Sequence, residues 1–430
     1  MKTKYFILIP LFILSLNINL IAGDPGFSSS ARAKTVALNG MYFTGMDGLQ
    51  PVLGNPSVLA LLNSGGVEMY IANHIGQHEF KNTRNEMYKS FNDDDYSFGG
   101  GIFWSFSPLF TAALSYQRAT DYHVNWPYTN LFSLDSISAL IAFDFFNEIT
   151  IDAATVSTGI GFENFSFGAS IHYYFVEHIL SFPKTNERWN QGLGQAAYQL
   201  SYNQDGNAFG FNLGVSYQAN DQLRFGVFAK SGFKADLDGT ASGNLLRDLD
   251  STASLVNINS SLEMPWEFGG GILYELNEDL KLNFDIKYSL WGSIEKSIAI
   301  DFENPVWQQN LSSIDSLTGI NASNLNLSYD NSFDAGVGLE YYTSNLILRT
   351  GYHFSQSPNT DATYNMLFPS VDQHIISIGI GYRDKNLIID AAVAYAFGVE
   401  REVTGAAVKN SSGRYSSSMV LPAVTLRYLL

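Results

Sequence analysis

A hydrophobic period of two recurs between residue 66 and residue 430, and it limits what this chain can become more than any other feature. Leu280, Leu282, Phe284, Ile286 and Tyr288 alternate with Lys281, Asn283, Asp285, Lys287 and Ser289. Phe209, Phe211, Leu213, Val215 and Tyr217 alternate with Gly210, Asn212, Gly214 and Ser216, and similar runs occupy 165–175 and 387–397. Successive side chains point to opposite faces of a strand, so each run has one apolar and one polar face. The runs last roughly 9–11 residues or slightly more, the length at which a tilted strand crosses a bilayer. Strands of soluble sandwiches, which also alternate, average about 5–6 residues.

The connections sharpen this reading. Short polar turns join the runs in pairs at Ser107-Pro108-Leu109, Glu163-Asn164, Ala219-Asn220-Asp221, Asn277-Glu278-Asp279, Thr343-Ser344-Asn345 and Asp384-Lys385-Asn386. Long polar stretches separate the pairs at 119–148, 178–206, 233–262, 291–328, 355–372 and 399–417. Short turns on one side and long loops on the other are the asymmetry of outer-membrane barrels. The pattern predicts an all-β, transmembrane antiparallel β-barrel of about fourteen strands over residues 66–430, with both ends on the side of the short turns.

Composition agrees. Charged residues are 15% of the chain, against about 25% in soluble proteins, while aromatics reach 14%. There is no cysteine, which excludes disulfides and thiolate metal sites. The net charge of −17 argues against nucleic acid as a partner, since phosphate binding needs a basic face. At the N-terminus Lys2 and Lys4 precede an apolar run from Tyr5 to about Leu16, followed by the small residues Ala22 and Gly23. This is the layout of a secretory signal peptide over residues 1–23. Residues 24–65 carry no alternation; a disordered tail and a plug folded into the lumen both fit, and the pattern alone does not choose.

The chain resembles the outer-membrane long-chain fatty acid and aromatic hydrocarbon transporters of the FadL/TodX type. Three blocks carry the likeness. The first runs from Ser30-Ala31-Arg32-Ala33 through Gly40 to Asp47 and Asn55-Pro56-Ser57; the family's acidic pair is here Asp47-Gly48, and its Asn-Pro-Ala-Gly turn is Asn55-Pro56-Ser57-Val58. The second spans Pro265 to Trp291, with Gly269 and Tyr274 before the turn. The third contains Gly351-Tyr352, Ser357-Pro358, Phe368-Pro369, Asp372, His374 and Gly381-Tyr382. The resemblance implies a fourteen-stranded barrel and an N-terminal hatch over 24–65, with Asp47, Asn55 and Pro56 in the hatch motif. It also implies passive uptake of a hydrophobic small molecule, most of all a long-chain fatty acid, across the bacterial outer membrane.

Two other readings stay open: a docking or shuttle barrel of a secretion machine, and a general polar porin. Catalysis is not expected, because no Gly-x-Ser-x-Gly elbow or His-Glu-x-x-His pair is present. No cofactor or metal is expected either. His172 and His178 read as satisfied or solvated loop residues, and Asp93-Asp94-Asp95 as a solvated loop rather than a calcium site. Arg349, Lys287 and Asp285 lie opposite the apolar faces of their strands and should therefore face the lumen, because charge is costly on the lipid side. Arg349 and Lys287 are the candidate partners of a ligand carboxylate; an ion pair that fixes the hatch is the alternative for each. The expected partners are the hydrophobic ligand, membrane lipid and lipopolysaccharide, and the barrel is expected to be a monomer.

Overall fold

In the computed structural model the described residues are 31–38, 40–45, 48–91, 93–127, 144–185, 197–243, 255–315, 319–405 and 411–430. The signal segment 1–23 and Asp47 lie outside them. Fourteen wall strands close into an antiparallel barrel. They are β1 (Gly66–Asn82), β2 (Asp93–Ser107), β3 (Phe110–Pro127), β4 (Asp144–Phe162), β5 (Phe165–Thr185), β6 (Ala197–Asn220) and β7 (Leu223–Lys230). The remainder are β8 (Glu267–Asn277), β9 (Leu280–Ser289), β10 (Ser332–Thr343), β11 (Leu346–Ser355), β12 (Gln373–Asp384), β13 (Leu387–Gly398) and β14 (Gly413–Leu429). Each pairs with its chain neighbour, and β14 returns to β1 from Gly66↔Leu429 to Asn82↔Gly413. Closure leaves no edge, so the backbone polar groups of strands in lipid are matched within the sheet.

The alternation sets the two faces as the sequence implies. On β9, Leu282, Phe284, Ile286 and Tyr288 are exposed to the outside, and Asn283, Asp285, Lys287 and Ser289 are buried in the lumen. Outward aromatics gather near the short turns (Phe162, Phe165, Tyr217, Tyr274, Tyr341, Tyr382, Tyr428) and again further up the strands (Tyr116, Phe175, Phe209, Trp266, Tyr288, Tyr352, Phe397), the arrangement of the two girdles of a barrel in a membrane. The turns are tight for local reasons. Glu163, Ser344 and Lys385 take left-handed φ values of 48°, 46° and 49°, and the Asn220 and Asn277 side chains accept from the backbone N–H two residues on, each at 2.9 Å.

Several stretches expected as loops are strand. β3 continues to Pro127, β5 to Thr185, and β6 begins at Ala197. The predicted loop 233–262 is largely two strands, Phe233–Gly243 and Leu255–Met264, which pair with each other, the first also pairing with the upper part of β6. The reason is a change of phase. Beyond the upper girdle the apolar side chains turn inward: Tyr122, Val124 and Trp126 on β3, Leu180 and Phe182 on β5, and Leu200 and Tyr202 on β6 are buried. There the outside is water and the inside is a packed core, so the apolar face switches sides. His172 and His178 lie on β5, with His172 Nδ1 2.9 Å from Thr155 Oγ1 and His178 Nε2 2.9 Å from Asn147 Oδ1. Asp95 lies on β2, not in a loop.

Candidate functional site

Residues 31–65, as far as they are described, are packed inside the barrel. A short helix, α1 (Ala33–Leu38), is wholly buried, and two 3-10 turns, Gln50–Leu53 and Pro56–Leu61, lie against the opposite wall. Asn55 caps the second turn. Its Oδ1 accepts from Ser57 N–H and Oγ–H at 3.2 and 2.6 Å, and its Nδ2 donates to the Phe43 carbonyl at 3.1 Å and to Ser216 Oγ at 3.2 Å. The wall is shaped to receive this turn. A Cβ added at Gly168 would collide with the backbone of Pro56 and Ser57, and one at Gly214 with Asn55 Oδ1, so only glycine permits so close an approach.

Ion networks tie this segment to the wall. Arg32 donates to Glu68 Oε1 at 2.6 Å and to Gln117 Oε1 at 2.7 Å, and its guanidinium lies 4.6 Å from the centre of the Tyr70 ring. Glu68 Oε2 also accepts from Arg427 at 2.7 Å. On the other side Lys34 is 3.2 Å from Glu340 Oε2, and Arg349 donates to Glu340 Oε2 and Asp390 Oδ1, both at 2.6 Å. Asp285 Oδ1 accepts from Phe43 N–H at 2.8 Å. Arg349 is therefore held by two carboxylates on the network that also takes Lys34 of the N-terminal segment.

Lys287 has a different setting. Its ammonium lies 3.3 Å from Asp334 Oδ2 and 3.5 Å from Glu267 Oε1; Lys230 is 3.0 Å from Glu267 Oε2, and His353 Nε2 is 3.2 Å from Asp334 Oδ1. These charges floor a cavity that Tyr174, Met264 and Trp291 also line. Directly beside it, sharing Thr120, Met264, Trp291 and Pro358, is an almost purely apolar cavity walled by Tyr122, Ile149, Leu262, Leu327, Tyr329 and Phe368. The two sites singled out from sequence are thus separate: Lys287 faces this cavity, and Arg349 does not line it. The apolar side chains of the second cavity, many of them in stretches expected as polar loops, were not singled out; the phase change is the signal that marks them.

The wall is interrupted beside these cavities. β2 and β3 are paired from Ser107↔Phe110 up to Gly99↔Gln117, where a bulge between Arg118 and Thr120 turns β3 aside. Above it β3 pairs only with β4 and β2 only with β1, until Phe91 N–H reaches the Asn125 carbonyl at 2.8 Å. Residues 93–98 and 118–124 therefore face each other across a seam without ladder bonds. Polar groups bridge or flank it: Asp95 Oδ2 lies 3.1 Å from His123 Nδ1, and Arg118 is 2.7 Å from Asp152 and 3.2 Å from Asp121. Ala119 and Thr120, at the bulge, line the charged cavity from its inner side.

A closed fourteen-stranded barrel with a lipid-facing apolar band and an N-terminal segment folded into its lumen defines a bacterial outer-membrane transport barrel. The chain belongs to the family described as outer membrane protein transport protein (OMPP1/FadL/TodX), whose model matches residues 150–429. The family consists of transport proteins of the outer membrane rather than enzymes. Outer membrane protein P1 of Haemophilus influenzae is 26% identical over 192 residues, covering 44% of this chain and 38% of that relative's length. A FadL homologue of Pseudomonas aeruginosa superimposes with a TM-score of 0.74 at 14% identity, over 96% of this chain and 99% of the other. The toluene transporter TodX of P. putida gives 0.71 at 16% identity, over 94% and 99%. At these identities the structural likeness speaks for the fold.

Proposed function

We propose that this chain mediates passive uptake of hydrophobic small molecules across the outer membrane, and that its preferred cargo is a long-chain fatty acid. The observation that carries this reading is the apolar cavity that runs into a lysine-bearing floor beside the wall seam. The acyl tail lies among Tyr122, Ile149, Leu262 and Leu327, where each buried CH₂ contributes about 0.8 kcal/mol. The carboxylate reaches Lys287 and Lys230, exchanging with Glu267 and Asp334 for their ammonium groups. Movement of the N-terminal hatch, whose anchors include the Arg349 network, widens the lumen, and the ligand leaves sideways through the seam between β2 and β3. Lateral exit keeps the tail out of water. The apolar cavity holds about 50 Å³ in this conformation, whereas about 150 Å³ accommodates benzene, so loading displaces its walls. The step is diffusive and is driven by consumption downstream.

The test is uptake of radiolabelled oleate and of toluene by proteoliposomes. Lys287→Met should weaken oleate binding by about 1.5–3 kcal/mol, the range for a hydrogen bond to a charged group, and leave toluene uptake nearly unchanged. Absence of oleate uptake by the wild-type barrel refutes the fatty-acid reading, and free passage of sugars and ions through it would favour a general porin. The packed lumen supports the transporter over the porin.

A further inference from the structure

The charged cavity holds one polar group that its ion pairs do not use. Tyr174, on β5, is 1% exposed and lines this cavity. Its ring is stacked twice, on Phe233 with ring centres 4.2 Å apart and planes 22° from parallel, and on His172 at 5.5 Å and 28°. Gly210 on β6 makes room for it, since a Cβ there would come within 2.8 Å of the ring. The ring has a fixed place, and so has its hydroxyl. Among the described residues Tyr174 Oη has no hydrogen-bond partner. A buried phenol ordinarily finds an acceptor, and phenylalanine would fill the same space without stranding a donor. Packing therefore accounts for the ring and not for the oxygen.

The charged groups of the floor are committed to one another. Glu267 takes Lys230 at Oε2 and Lys287 at Oε1, and Asp334 takes Lys287 and His353. A ligand anion reaches an ammonium there only by exchange with a carboxylate. The Tyr174 hydroxyl can be engaged with no exchange at all. Ser231, which lines the same cavity, stands beside it: a Cβ at Gly210 would lie 3.5 Å from Tyr174 Oη and 3.2 Å from Ser231 Oγ. Ser231 Oγ accepts from Phe211 N–H at 2.9 Å, so its own hydrogen is directed elsewhere. The cavity holds about 30 Å³, against roughly 10–15 Å³ for one water. One or two oxygen atoms fit, and Met264 and Trp291, shared with the apolar cavity, mark the way to the tail.

We propose that Tyr174 is a specificity-determining donor for cargo with a neutral oxygen, so that the barrel binds long-chain alcohols and esters as a second substrate class beside fatty acids. The inference rests on the reading above for the place of the tail. An alcohol or ester oxygen accepts from Tyr174 Oη–H and satisfies a donor that is otherwise buried unpaired. A hydrocarbon of the same length leaves that donor as it was. The effect belongs to the loaded barrel alone, because in the empty barrel the hydroxyl makes no bond that its removal would break.

Tyr174→Phe tests this in the full barrel, by equilibrium binding of radiolabelled oleyl alcohol, methyl oleate and 1-octadecene in detergent. The variant should bind the alcohol and the ester about three- to tenfold more weakly than wild type does, the scale of one hydrogen bond, and should bind 1-octadecene as wild type does. Without ligand it should unfold on heating at the wild-type temperature or above. Unchanged affinity for the alcohol and ester, or an equal loss for 1-octadecene, overturns the proposal. A lower unfolding temperature of the empty variant, or its failure to assemble, also overturns it, by showing that the hydroxyl is already held within the protein. Oleate separates the two readings. Wild type that binds the alcohol through Tyr174 but binds no oleate refutes the fatty-acid reading only, whereas oleate binding with no effect of Tyr174→Phe on alcohol and ester refutes this proposal only.

Discussion

Removing Glu68 should unseat the front of the hatch while sparing the barrel. Glu68 is 3% exposed on β1 and serves two guanidinium groups, Arg32 of the hatch and Arg427 of β14. Glu68→Ala leaves both cations buried with their shared anion gone. Breaking a buried ion pair by removing one partner costs about 3–5 kcal/mol, because the remaining charge is uncompensated. The barrel has no way to release Arg427, but the hatch can release Arg32 to water. Up to that whole cost can therefore appear as a lower free energy of hatch detachment. At a factor of ten per ~1.4 kcal/mol, the detached population should rise on the order of a hundredfold or more. Arg32→Ala should do less, since Glu68 would retain Arg427. The assay is amide hydrogen exchange over residues 31–45, beside single-barrel conductance in a planar bilayer. Faster exchange confined to the hatch and frequent openings are the expected result. Wild-type exchange and conductance in a barrel that still resists unfolding by detergent would refute the argument.

Three further outcomes follow from the same geometry. Gly168→Val should force the Asn55–Ser57 turn off the wall and raise small-solute leakage in a swelling assay, whereas Gly161→Ala, whose added Cβ would meet only Ala60 at 3.8 Å, should not. Arg349→Ala should weaken oleate and toluene uptake equally, because it strands Asp390 and leaves Glu340 with Lys34 as its one cation in this network; a loss specific to oleate would make Arg349 a head-group partner. The chain lacks cysteine, so Asp95→Cys/His123→Cys gives a clean pair across the seam. Bridging it with a short bifunctional reagent should block release of oleate into the bilayer and leave binding intact; unimpeded release would rule the seam out as the exit.

The membrane band was legible from sequence because lipid and lumen impose opposite polarities on alternate residues, as in 280–289, where every inward or outward assignment from Leu282 onward matches its burial. Above the band the same period persists with inverted sign. Phe209 is 71% exposed, while Tyr202 on the same strand is 1% exposed, and the switch between them reads as loss of pattern when only one polarity is sought. That is why 178–206 and 233–262 were expected as loops. The candidate site suffered for the same reason, since Leu262 lies in the second of those stretches, and Tyr122 and Leu327 lie in 119–148 and 291–328, which were also expected as loops. Lys287 and Arg349 were correctly assigned to the lumen by parity, but parity says nothing of partners from other strands, so Glu267, Asp334, Glu340 and Asp390 could not be attached to them in advance.

The meander has a consequence for assembly. Every wall strand but one finds its neighbour next along the chain, through a short turn or a loop. The exception is the junction of β14 with β1, whose partners, such as Gly66 and Leu429, stand at opposite ends of the wall. Pairing so distant in sequence is entropically the slowest to form, so this junction should close last. The first anchors of the hatch straddle it: Glu68 is on β1, Arg427 is on β14, and Ala33 N–H donates to Thr425 Oγ1 on β14 at 2.9 Å. The set as a whole draws on both strands, so it cannot be complete in an open sheet. Docking of residues 32 and 33 therefore works as a latch that sets only after the cylinder has shut, and an incompletely zipped barrel would leave its N-terminal segment accessible to periplasmic proteases.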